Sequence, residues 1–177
     1  RYPTVVRSVA TAATGATLLF SVYLALRYYL AAPPDQDFWP LVRYDWLPSL
    51  GISLQLGTDG ISILMILLNG VVAFTGTLVA WQIKDRNKEF FVLFLLLITG
   101  VFGVFASLDL FFFFFFFELA VIPMYLLIGV WGSSTGFRTY FRPQAFARTK
   151  EYSAMKLVIF LSLGSILVWV AFIALYT

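Results

Sequence analysis

Five stretches of the chain stay apolar for long enough to cross a bilayer as helices. A helix rises about 1.5 Å per residue, so about 20 apolar residues span roughly 30 Å of hydrocarbon. The pattern predicts helices over residues 5–30, 60–83, 90–108, 110–131 and 157–177, the first with an uncharged core from Ser8 to Leu26. Little more than "ASLD" separates the third span from the fourth, which predicts a tight helical hairpin turning near Asp109. Residues 44–59 form an outer, strand-like loop. Within it "GISLQLG" alternates Ile52, Leu54 and Leu56 with Ser53, Gln55 and Gly57, the period of a short strand. It runs into "TDGIS", where Thr58 or Asp59 can cap the second helix by accepting from its free N–H groups. Residues 132–156 form a long, basic and aromatic loop expected at the headgroup level. No alternation of the β-barrel kind competes with this pattern. The fold class predicted is all-α: one membrane domain over 1–177, a polytopic transmembrane helical bundle with five spans.

Composition supports that reading. The chain is 61% hydrophobic and 12% charged, with a net charge of +3, too apolar for a soluble domain. Its mean hydropathy is +0.90. The basic residues gather in the loops between spans, which marks topology and not a nucleic-acid face. One side receives Arg1, Arg7, Lys84, Arg86, Lys88, Arg138, Arg142, Arg148, Lys150 and Lys156; the other receives only Arg27 and Arg43. Ten basic residues against two fix the first as the inner side, with the first helix running outward. The expected partner of the surface is lipid. The chain has no cysteine and no histidine, so disulfides, iron–sulfur clusters and the usual zinc and haem ligands are excluded within it. Any redox chemistry falls to partners, and no cofactor is expected in this chain. The first residue is Arg1 and the first methionine Met65, so the sequence is expected to be part of a longer chain. No signal-peptide layout is visible.

Glu118 is the residue that this frame makes costly. It follows seven phenylalanines, Phe111 to Phe117, and stands eight residues into the fourth span, roughly 12–13 Å from its outer end. An acid near the midplane costs about 2.5–3.5 kcal/mol on insertion scales. It is therefore either neutral and hydrogen-bonded to a neighbouring helix or a functional, proton-carrying group. Pro123 removes the N–H that would bond the Leu119 carbonyl, so a helix break is expected beside the acid. Tyr125 and Gly129 share the stripe of Glu118 at helical period and give its inner half room for water. The phenylalanine run reads as packing. Lys156 is expected to open the fifth helix at the inner boundary, either as an interface anchor or on a proton path. Asn69, Thr75 and Thr77 read as interhelical hydrogen-bond partners, and the small residues Ala10, Ala12, Ala13, Gly15 and Ala16 as close packing.

The wording around Glu118 carries a resemblance. "DLFFFFFFFELAVIPMYLLIGVWG" resembles the fifth membrane helix of the antiporter-like subunits of respiratory complex I, and is most similar to the subunit M (chain 4) family. "LGTDGIS" and "EYSAMKLVIFLSLGS" agree with it, so the resemblance runs from about Trp46 to Thr177. It implies part of a larger antiporter-like fold with inverted repeats. It also implies a proton-translocating subunit of NADH:quinone oxidoreductase that couples quinone reduction to pumping. Glu118 falls on the family's membrane glutamate, and Lys156 on a lysine near the inner half-channel. FMN, iron–sulfur clusters and quinone are then expected in partner subunits, with L- and N-like subunits as neighbours. The expected location is a bacterial inner membrane, with the mitochondrial inner membrane as the alternative. The basic loop after Trp131 and the uniform phenylalanine run depart from the family pattern. The competing functions are a stand-alone Mrp-type cation/proton antiporter, a ferredoxin- or hydrogenase-linked ion pump, and a structural scaffold in which Glu118 has no role.

Overall fold

A computed structural model describes residues 3–31, 42–48, 51–133 and 149–176. Its elements are α1 (Pro3–Ala31), β1 (Val42–Leu47), β2 (Ile52–Leu56), α2 (Gly60–Val79), α3 (Asn87–Ala106), α4 (Leu110–Trp131) and α5 (Lys150–Tyr176). A short 3₁₀ turn, Ala80–Gln82, continues α2. All five helices are long and apolar enough to span a membrane, which makes this a multi-pass membrane protein. The chain divides into two compact units, Arg1–Ala120 and Val121–Thr177, with the boundary inside α4.

In the first unit, small residues let helix backbones approach. A Cβ on Gly70 would lie 3.0 Å from Ser21 Oγ and 3.3 Å from the Leu18 Cα, so α1 and α2 meet closely there. Gly15 faces Phe74, and Ala10 is buried in a cluster with Ala80 and Phe91. Ala12 and Ala16, expected in the same packing, are exposed. Buried hydroxyls are satisfied along their own helices: Thr14 Oγ1 donates to the Ala10 carbonyl (3.0 Å) and Ser21 Oγ to Thr17 (2.8 Å). Thr75 and Thr77, expected to bond across helices, donate instead to Val71 and Ala73 of α2 itself. Asn69 Nδ2 is buried and has no partner among the described residues. Near the N-terminal end of α1, Arg7 donates to the Ile83 carbonyl (2.9 Å) and Trp81 Nε1 to Thr11 Oγ1 (2.9 Å), tying α1 to the turn before α3.

In the second unit, Gly129 approaches Ala154 of α5, and Lys150 Nζ donates to the Val130 carbonyl (2.8 Å) at the end of α4. That bond satisfies one of the carbonyls a helix end leaves open. α5 begins at Lys150, seven residues before the expected start at Leu157. The basic loop predicted over 132–156 is shorter accordingly, and its residues 134–148 lie outside the described ones. The spans predicted over 5–30, 60–83 and 90–108 correspond to α1, to α2 with its 3₁₀ turn, and to α3, which starts three residues early.

Candidate functional site

At one corner of the first unit a hairpin meets the turn that leads into the helix carrying Glu118. The alternation in "GISLQLG" is strand β2, and it pairs antiparallel with β1 in a hairpin with an irregularity between Asp45 and Leu47. The strand-like loop predicted over 44–59 is therefore two strands, of which the first begins at Val42. The hairpin is fastened to the α3–α4 turn. Gly57 N–H donates to the Ala106 carbonyl and Leu108 N–H to the Gln55 carbonyl, both at 2.9 Å. Trp46 lies with ring centroids 5.8 and 5.6 Å from Phe111 and Phe112.

Two aspartates close this corner. Asp59 caps α2, its Oδ1 accepting from Ser62 N (2.6 Å) and Ile61 N (3.1 Å). The Ser62 backbone N–H, then the Ser62 hydroxyl, hold its carboxyl below the ordinary value. Asp109 does two tasks. Its Oδ1 accepts from Phe111 N (2.8 Å) and Phe112 N (3.3 Å) of α4, and its Oδ2 from Ser53 N (3.3 Å) of β2.

Glu118 sits nine residues beyond Asp109 and is half-buried. α4 grips α3 through Phe116 and Ala120: a Cβ on Gly100 would lie 2.9 Å from the Ala120 Cβ, and one on Gly103 would collide with the Phe116 ring. Glu118 is two residues from each of them, which places it roughly 180° round the helix, on the face turned away from α3. Phe115 on that side is 49% exposed, so the first unit leaves this face uncovered. Among the described residues Glu118 makes no hydrogen bond or ion pair. α4 stays helical through Pro123, which is buried, so the expected break is a missing hydrogen bond and not an interruption. Tyr125 follows on the same helix and is exposed.

Lys156 is the seventh residue of α5, well inside the helix and not at its opening, because the helix begins at Lys150. It is exposed, with Nζ 5.8 Å from the centroid of the Phe160 ring, and it borders a shallow hollow of about 210 Å³ with Tyr152, Met155 and Ile159. Glu118 and Lys156 belong to different units. No group of three metal-ligating side chains occurs among the described residues. The double role of Asp109 was not read from the sequence. Its place before an apolar run signals a cap, but its strand partner lies 56 residues away.

No protein-family model matches the chain. Curated relatives do. NAD(P)H-quinone oxidoreductase chain 4 3 of Picosynechococcus sp. is 37% identical over 143 residues, covering 81% of this chain and 24% of that protein. The chain is homologous to part of NAD(P)H-quinone oxidoreductase chain 4. The chloroplastic chain 4 of Mesostigma viride is 37% identical over 154 residues, covering 87% of this chain and 27% of its own length. The chain 4 of Gloeobacter violaceus is 34% identical over 134 residues, covering 76% and 23%. This chain thus spans about a quarter of the length of the relatives it matches. Among solved structures, a chain of the membrane-bound sulfane sulfur reductase, an archaeal respiratory membrane complex, has the same fold. It superposes with a TM-score of 0.62 at 22% identity, covering 93% of this chain and 32% of that one.

Proposed function

We propose that this chain is part of a proton-translocating, antiporter-like subunit in the membrane arm of a quinone oxidoreductase, with Glu118 as the group that carries the proton. The observation that carries the reading is the setting of Glu118. It is a carboxyl in the middle of a 22-residue apolar helix, turned away from α3 and hydrogen-bonded to nothing among the described residues. A structural acid at that depth needs donors, whereas a proton carrier needs a charge that can be switched. A cation moving toward and away from the carboxyl would supply that switch. The face of Glu118 left uncovered in the first unit is where such a cation would approach. Tyr125 and Lys156 are assigned to the inner part of the path.

In this reading the driving redox chemistry takes place in partner subunits that hold FMN, iron–sulfur clusters and quinone. L- and N-like membrane subunits are the neighbours. We assign the chain to a bacterial inner membrane; its relatives include cyanobacterial and chloroplastic chains. The test is Glu118→Gln, which removes the exchangeable charge and keeps the shape. The expected result is a fully assembled complex on native gels that reduces quinone yet loses most proton uptake into vesicles, with Glu118→Asp retaining part. Normal uptake in an assembled Glu118→Gln complex overturns the reading.

A further inference from the structure

The hairpin corner contains an acid that the proton chemistry of Glu118 does not use. Asp109 spends both carboxylate oxygens on two different elements, Oδ1 on the first turn of α4 and Oδ2 on the Ser53 N–H of β2. We propose that Asp109 is a positioning residue for Glu118: it bonds the hairpin to the helix that carries the acid. This rests on the reading of Glu118 given above.

α4 needs such a fastening because its own sequence supplies little register. Seven identical side chains precede Glu118, so sliding the helix by one residue replaces a phenylalanine with a phenylalanine over most of the outer half. The grips of Gly100 and Gly103 on Ala120 and Phe116 set which side of α4 meets α3. The backbone bonds of the hairpin end on Ala106 and Leu108, before α4 begins. Asp109 carries that hold across the turn into the first N–H groups of α4, and Trp46 supports it by lying against Phe111 and Phe112. Glu118 follows at roughly 13–14 Å along the helix axis. A displacement of about 1 Å, caused far from the reacting group, can cost on the order of 100-fold in rate.

Asp109→Asn tests this in the assembled complex with the full-length chain. A carboxamide has one acceptor and one donor atom, so it can serve α4 or Ser53 but not both. Quinone-linked proton uptake is expected to fall by about tenfold. The rate at which a lipid-soluble carbodiimide modifies Glu118, read by mass spectrometry, is expected to change with it. Wild-type values of both overturn the proposal, and so does lost uptake with unchanged modification of Glu118. If the Asn variant does not assemble, Asp109→Ser is read the same way, since its single hydroxyl caps a helix but leaves nothing for Ser53. Glu118→Gln separates the two ideas. Normal pumping in that variant removes the proton-carrier reading, whereas its failure to pump beside a wild-type Asp109→Asn removes only the positioning role.

Discussion

The acids of the hairpin corner and the acid in the middle of α4 are the same functional group in opposite circumstances. Asp59 and Asp109 accept from backbone N–H groups within 3.3 Å and are held by them. Glu118 has no such donor among the described residues, although an acid at its depth is costlier to insert. Backbone donors convert a carboxylate into structure, because a helix end has free N–H groups and the middle of a helix has none. An acid in mid-helix without donors is the setting that the proposed proton carrier requires. The first turns of α5 repeat the contrast with cations: Lys150 is committed to the Val130 carbonyl, while the Lys156 side chain makes no hydrogen bond among the described residues.

The largest expected effect follows from that contrast. Glu118→Gln should remove most proton uptake without loss of assembled complex, while Asp109→Ala should lower the amount of assembled complex by removing a cap and a tie together. Reversal of the two outcomes, with Glu118→Gln failing to assemble, would break the comparison by making the mid-helix acid structural.

How much of this was legible depends on the range of the interaction. The spans followed from length and hydropathy, and α4 begins and ends where its apolar run does, at Leu110 and Trp131. Glu118 stood out for the same reason, as a charge against a uniform background. Strand β2 was legible because alternation between glycines is local. β1 was only partly so, since all six of its residues are exposed and no buried side marks its period. The early start of α5 was missed because Glu151, Tyr152 and Ser153 look like loop by polarity. Their helix is supported by Lys150 reaching back to Val130, a contact 20 residues apart. The strand partner of Asp109 was beyond any local pattern.

Next in size is the close approach that aims Glu118 away from α3. At Gly100 an added methyl would meet the Ala120 N at 2.9 Å and the Phe116 carbonyl oxygen at 3.0 Å, and backbone cannot turn aside as a side chain can. Gly100→Ala should therefore destabilise the chain by about 1–3 kcal/mol, the usual cost of overpacking. Thermal stability of the purified complex measures it, and a variant as stable as wild type would show that α3 and α4 are not held at this point.

A smaller effect is expected at Lys156. Lys156→Ala should slow the initial rate of proton uptake several-fold in a complex that still assembles, and Lys156→Arg should keep much of the rate because it keeps the charge. Equal rates in the alanine variant and wild type would leave Lys156 as an interface anchor lying over Phe160.

The smallest expected effect tests the structural half of the comparison. Asp59→Ala removes an N-cap, which costs about 1 kcal/mol, and should leave proton uptake per electron unchanged. Its dependence on pH has a definite sign. The Ser62 N–H and hydroxyl hold the folded carboxyl below its ordinary value of 3.8, so the stabilisation is complete above that value and fades only as the pH falls through the lower, folded one. The stability difference between wild type and Asp59→Ala should therefore stay flat from about pH 8 to about pH 5. A difference that shrinks within that range would mean that Asp59 is not held by its cap bonds, and the division between partnered and unpartnered acids would lose one of its two structural members.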